Sequence, residues 1–213
     1  RSTPGRSTSF TSDPMSTLST TNLKNPSSGS NNIVLGTDGS VTVGTITGTS
    51  VRGGITSGTA KASTSGTSID FSPVDGTGIP SWAKRITVMF NGVSTSGTSL
   101  IHIRLGTSSG VEATNYLGSS QDPANSAVYS TGFALAPNSL ATDILHGQWI
   151  FSLLNATNYI WAESHFIGRS NNNLVAFGAG SKTLSGTLDR VRITTVNGTD
   201  TFDAGSINIL YEG

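Results

Sequence analysis

Residues 16–68 carry hardly any charge and almost no large apolar side chain, yet they are written as β-structure and not as a linker. Short runs, Asn32-Ile33-Val34-Leu35, Val41-Thr42-Val43 and the stretch around Ile46, hang on Gly36-Thr37-Asp38-Gly39 and Gly44-Thr45 punctuation. Thr is β-branched and suits a pleated surface, whereas Ser and Gly suit turns. Runs this short bury no core of their own, and an isolated two-stranded ribbon is marginal in water. Two outcomes follow. Either the segment is a flexible tail, or Ile33, Leu35, Val41, Val43 and Ile46 face an axis shared with identical copies of the chain. The second is the expectation carried forward: residues 15–54 form an extended arm, on the order of 100 Å long at ~3.3 Å per residue, and residues 55–213 form a denser head. Residues 1–14, ahead of Met15, show no periodicity and read as an appended leader outside the fold.

Charge and cysteine content narrow the function classes. The 213 residues hold 12 Lys and Arg against 12 Asp and Glu. A net charge of zero supplies neither the basic field that a nucleic acid requires nor a polybasic membrane patch. The chain has no cysteine, which excludes disulfides, thiolate metal sites and cysteine catalysis. Stability outside a cell would then come from burial between copies. No apolar run reaches the ~18 residues of a membrane-spanning helix, and no secretory leader is visible. Asn155-Ala156-Thr157 and Asn197-Gly198-Thr199 fit the glycosylation acceptor pattern. With 33 Ser and 30 Thr in the chain, chance accounts for them. No cofactor is implied.

The core belongs to the later part. Every Trp (Trp82, Trp149, Trp161) and every Tyr (Tyr116, Tyr129, Tyr159, Tyr211) lies at or beyond residue 82. There the apolar period is two: Ile86, Val88 and Phe90; Ile101, Ile103 and Leu105, with His102 and Arg104 between them; Val191 and Ile193; Ile207, Ile209 and Tyr211. Such segments read as half-buried strands. Turn signals separate them at Asn91-Gly92, Ser108-Ser109-Gly110, Asn197-Gly198 and Ala204-Gly205. Gln148–Leu154 and Tyr159–Ile167 flank Asn155-Ala156-Thr157-Asn158 as a hairpin with a four-residue loop. Residues 137–146 have room for one helical turn. Eight to ten short antiparallel strands predict an all-β fold, an antiparallel β-sandwich of the jelly-roll kind.

Catalytic chemistry finds little support. A pair of glycosidase carboxyls must lie ~5–10 Å apart, and the acids here are scattered. Glu163 and His165 sit two apart in a strand-like run and would share one face, but a polar pair on an outer strand face is the plainer expectation. Asn197, Asp200 and Asp203 have calcium-loop chemistry, and turn formation is again the plainer use of Asn and Asp. No catalytic residue and no metal ligand is therefore assigned. Sugar recognition asks for exposed rings and planar polar groups. The loop candidates are Arg169, Asn171, Asn172 and Asn173 in one place and Asn115, Tyr116 and Asp122 in another. At least two of Trp149, Tyr159 and Trp161 should be core, and Trp82, behind Pro80, should plug the base of the head. Arg190 and Arg192 share a strand face, where acids of a neighbouring subunit would pair with them.

Two stretches carry a likeness. One runs from Leu23-Lys24-Asn25-Pro26 through Asn31-Asn32-Ile33-Val34-Leu35-Gly36-Thr37-Asp38-Gly39-Ser40-Val41. The other is Ile69-Asp70-Phe71 followed by Gly78-Ile79-Pro80-Ser81-Trp82-Ala83-Lys84-Arg85-Ile86-Thr87-Val88-Met89-Phe90-Asn91-Gly92. Over about residues 15–118 the chain resembles structural proteins of tailed bacteriophages, of the tail-fibre and virion-fibre kind. It departs from them at Ser72–Thr77, which reads as a loop insertion. The resemblance implies a homotrimer on the virion surface, an arm joined to other virion proteins, a head whose loops meet a host surface glycan or protein, and no catalytic motif. A capsid decoration or head-fibre protein, or an extracellular carbohydrate-binding module, is the alternative.

Overall fold

The computed structural model describes residues 54–135 and 139–213 in full, and three short strands nearer the N-terminus. The chain divides into two units, Arg1–Val51 and Arg52–Gly213. In the first, β1 (Asn22–Leu23), β2 (Ile33–Leu35) and β3 (Val41–Val43) form an antiparallel sheet, with Asn22 opposite Val34 and Leu35 opposite Val41. The β-runs expected at 33–35 and 41–43 are therefore strands. Residues 1–14 and the remainder of the expected arm lie outside the described residues.

The second unit is all-β and antiparallel. Its strands are β4 (Thr56–Ser57), β5 (Lys61–Ala62), β6 (Ser68–Phe71), β7 (Arg85–Thr95), β8 (Ile101–Thr107), β9 (Gly110–Val111), β10 (Tyr116–Gln121), β11 (Ser126–Tyr129), β12 (Phe133–Ala134), β13 (Leu145–Asn155), β14 (Ile160–Arg169), β15 (Leu174–Thr183), β16 (Arg190–Thr195) and β17 (Phe202–Glu212). The larger sheet runs β11-β10-β15-β14-β13-β7-β17-β4, with β5 also on β17; the smaller runs β12-β8-β16-β6, with β9 on β8. β13, β14 and β15 form a meander, whereas β7, β8, β16 and β17 are joined by connections that cross between sheets. The two sheets share one hydrophobic core. Ile101, Ile103, Leu105, Val191 and Ile193 of the smaller sheet meet Ile86, Val88, Trp149, Phe151, Ile207 and Ile209 of the larger. This is the alternation expected of a sandwich. Phe133 ties the layers together: its ring lies 5.8 Å from Phe151 and edge-on to Tyr116 at 4.9 Å.

Local chemistry explains the irregularities. Where β17, β7 and β13 pass one another the register shifts at Leu145/His146, Phe202/Ala204 and Ala204/Ser206. Gly92 (φ 67) and Gly205 (φ 90) sit at these bulges, and a Cβ on Gly205 would strike the Gly92 backbone, so only glycine fits. The β13–β14 hairpin turns where Asn155 Oδ1 accepts from the Thr157 and Asn158 amides at 2.9 and 3.0 Å. The Ser72–Thr77 insertion holds a 3₁₀ turn, Pro73–Asp75, capped by Ser72 and closed by Gly76 at φ 74. Leu140–Asp143 make a turn closed by Asp143 N donating to Leu140 O at 2.9 Å. The helix expected nearby is absent among the described residues, and residues 136–138 lie outside them.

Three placements depart from expectation. Trp149 and Trp161 are core, as expected of two of the three hairpin aromatics, but Trp82 is 48 % exposed against the Gly213 backbone and plugs nothing. His102 is fully buried. β12 pairs along one edge of the strand that carries it, where Ala134 lies opposite His102, and the chain leading into β12 lies against the imidazole at Gly132. Arg192 pairs in register with Asp70 of this same chain, so its partner is not a neighbour's acid.

Candidate functional site

The loop residues expected to meet a ligand fall at two ends of the larger sheet. Gln121 lies opposite Phe177 and Arg169 opposite Leu174, which brings the turn after β10 and the turn after β14 to one end. Tyr116 lies opposite Lys182, which takes Asn115 and Tyr116 to the other end. Tyr116 is a strand residue of the core and not a loop residue. It is 1 % exposed, and its hydroxyl accepts from Leu105 N at 2.8 Å and donates to Glu112 O at 2.9 Å. Burial pushes its phenol far above the usual range. Asp122 is also buried, its Oδ1 accepting from the Ala124 and Asn125 amides to form a turn. Asn115 stays exposed, in the left-handed region at φ 59.

At the first end most of the polar atoms are spoken for. Asp143 and Arg169 pair at 3.6 Å with their side chains 2 % and 1 % exposed. Asn172 Nδ2 donates to Asp143 Oδ1 at 2.7 Å. Asn171 Oδ1 accepts from Ile144 N at 3.0 Å, and its Nδ2 donates to Thr142 O. These side chains clamp the β14–β15 turn onto the segment before β13. Only Asn173, exposed at φ 55, stands free of that clamp; it borders a shallow hollow with His146 and Val175.

Most of the remaining charge is also turned inward, paired or hydrogen-bonded, with Lys84 left exposed. Glu163 and His165 do share a face, but it is the inner one. Their side chains are 1 % exposed, Nδ1 and Oε1 are 2.5 Å apart, and the imidazole packs 4.7 Å from the Trp149 ring. Burial raises the Glu163 carboxyl, and the His165 hydrogen bond offsets only part of that. No substrate reaches a pair so enclosed. Lys182 is buried and meets Glu112 Oε2 at 2.5 Å. Burial alone would raise Glu112, but bonds from Lys182 and Ser185 hold it below the usual carboxylate range. Arg192 grips Asp70 bidentately at 2.7 and 2.8 Å, and Arg190 grips Asp189 at 2.7 and 3.0 Å. Asp200 accepts from Ser99 N and from Asn197 Nδ2, while Asp203 accepts from Ser94 Oγ, so these residues build turns. Among the described residues no three His, Asp or Glu side chains converge as a metal site would require.

The outer face of the larger sheet is different. Over β11, β10, β15, β14 and β13 no Asp, Glu, Lys or Arg occupies an outward position. Phe166 and Phe177 stand on this face, 61 % and 43 % exposed, with rings 6.3 Å apart and 20° from parallel. A cross-strand aromatic pair open to water is unusual enough to ask for a use. The local pattern gives a strand over Tyr159–Ile167 but none over residues 174–183, so nothing in it pairs Phe166 with Phe177. Parity held the signal: Trp161 and Ile167 share one face of β14, so Phe166 must take the other. Comparison with protein-family models, with characterised proteins and with solved structures finds no match to this chain.

Proposed function

We propose that the chain is a non-enzymatic attachment protein of a virion, a phage tail fibre or fibre tip, which works as a homotrimer and binds a glycan on the host surface. The uncharged outer face of β11, β10, β15, β14 and β13 carries this reading. A molecule that buries or pairs its carboxylates and imidazoles has little left for catalysis, whereas an uncharged plane with two open rings suits adhesion. The arm, its junction with other virion proteins and the threefold assembly rest on the phage-fibre resemblance of residues 15–118. Three linked heads raise avidity by ~10²–10⁴ over one, so each site can be weak and exchange quickly.

Two measurements on the full chain test the proposal. Light scattering at micromolar concentration is expected to give three times the 21.9 kDa chain mass. Flow cytometry with fluorescently labelled protein is expected to show saturable binding to some strains in a bacterial panel. A monomer that labels no strain rejects the reading.

A further inference from the structure

The exposed phenylalanines belong to a longer row. Pairing across the sheet runs Ser126 to Gln121, Gln121 to Phe177, Phe177 to Phe166, and Phe166 to Gln148. All five side chains are outward and exposed. With strands ~4.8 Å apart the row is roughly 19 Å long, and it crosses the strands at right angles. Two rings stand at its centre and an amide at each end, with a hydroxyl beyond one of them.

We infer that this row is a binding strip for an uncharged oligosaccharide, an inference that rests on the attachment reading above and names its ligand class. A pyranose has an apolar C–H face and a rim of hydroxyls. The rings offer a surface for the face. Each glutamine offers both a donor and an acceptor, which is what a pair of vicinal hydroxyls uses. The neighbouring outward positions on β10, β15 and β14 are Ser119, Ala179, Val175, Ser164 and Gly168, none larger than valine, so none of them overtops the rings. Beside Phe177 lies an open hollow of about 270 Å³, floored by Gly178 and Ala179 and edged by Ser119, Gln121 and Ser126. It is an apolar floor with a few placed polar groups, the usual make-up of a small-molecule site. The absence of outward cations on these strands leaves nothing to recognise an acidic polysaccharide. A second copy of the chain fits less well, because the centre of a protein interface is apolar with its polar groups at the rim, and here hydroxyl and amide groups lie within one strand of the rings.

The test uses the full chain and calorimetry with maltohexaose, cellohexaose, laminarihexaose, xylohexaose and hexagalacturonate. At least one neutral hexaose is expected to bind. Phe166→Ala and Phe177→Ala should each weaken it by about tenfold or more, equivalent to ~1.4 kcal/mol. Phe166→Leu, which keeps apolar bulk and loses the ring, should weaken it as well, and Leu154→Ala on the same face should not. The strip is refuted if no neutral hexaose binds, if hexagalacturonate alone binds, or if the ring variants bind as the parent does. Ring variants that change the assembly mass and leave sugar affinity untouched assign the surface to a second copy and also overturn it. Cell labelling separates the two levels: ring variants that still label bacteria sink the strip alone, whereas a parent chain that labels none sinks the attachment reading.

Discussion

The two faces of β14 carry opposite chemistry in the reverse of the usual sense. Antiparallel sheets commonly put apolar residues inward and polar ones outward. Here the inward positions are Trp161, Glu163, His165, Ile167 and Arg169, all buried, and the outward ones are Ile160, Ala162, Ser164, Phe166 and Gly168. The inner face holds three ionisable groups; the outer face holds none, and it holds an exposed ring. Burying charge costs free energy unless each group is paired, and Glu163 with His165, Arg169 with Asp143 and Lys182 with Glu112 meet that condition. The inner charges are therefore tied to one another, and the outward positions of β14 carry no charge to pair.

The comparison breaks first, and hardest, at Lys182. Glu112→Ala would leave a buried ammonium without its carboxylate and the Ser185 amide and hydroxyl without their acceptor. The expected loss is ~3–5 kcal/mol, the usual cost of breaking a buried pair from one side. Urea unfolding measures it. Glu112→Gln with Lys182→Met, which removes both charges, should recover most of the loss; an unrecovered double variant would mean that packing, and not charge, sets the cost.

Acid should act on the interior before it acts on the surface. Burial, aided by Arg104, pushes His102 down to about 4 from its ordinary 6.5. The unfolded chain therefore takes up the proton first as pH falls. Stability is complete above about pH 6.5 and declines towards pH 4, by ~3 kcal/mol for such a shift. His102→Phe should flatten that decline when unfolding is compared at pH 7.5 and 4.5, and an equal decline in the variant refutes the assignment. Glu163 works in the other sense, since a raised carboxyl stabilises the fold as pH falls. Glu163→Gln keeps an acceptor for His165 and should hold stability at neutral pH. Glu163→Ala leaves that imidazole buried without its partner and should cost ~1–3 kcal/mol.

Much of the architecture was legible because period-two alternation and turn residues are local signals. Ile86, Val88 and Phe90 and the Asn155 turn lie where the local pattern puts them, but Asn91-Gly92 and Ala204-Gly205 do not end strands as turn signals predict: they are bulges inside β7 and β17, which continue past them because each keeps its pairing partner. What could not be read locally was which of two faces is covered. Tyr116 looks like a loop aromatic beside Asn115, yet the smaller sheet covers it through Phe133. Arg192 looks available to a neighbour until β16 pairs with β6 and brings Asp70 opposite. Asn171 and Asn172 look like free amides until the segment before β13 folds against them. In each case the deciding partner is distant in sequence. For the Phe166–Phe177 pair only half the signal is local: parity with Trp161 and Ile167 turns Phe166 outward, but β15, which brings Phe177 opposite it, carries no strict alternation to announce it.

The smallest expected effect separates the two faces most cleanly. If the outer rings serve contact with a ligand and not the fold, removing both should hardly touch stability. Phe166 and Phe177 gain from each other what a cross-strand aromatic pair gains, ~0.2–1 kcal/mol, and are only partly buried at 61 % and 43 % exposed, so Phe166→Ser with Phe177→Ser should lower unfolding free energy by no more than about 1–2 kcal/mol. Their inner-face counterpart Phe151, fully buried two strands from β15, should cost ~3–5 kcal/mol on truncation to Ala. Denaturant midpoints of the two variants, measured side by side at one protein concentration, give the ratio directly. A double Ser variant that unfolds as easily as Phe151→Ala would mean the outer rings are already buried in the native assembly, and the distinction between a structural inner face and a free outer one would fall.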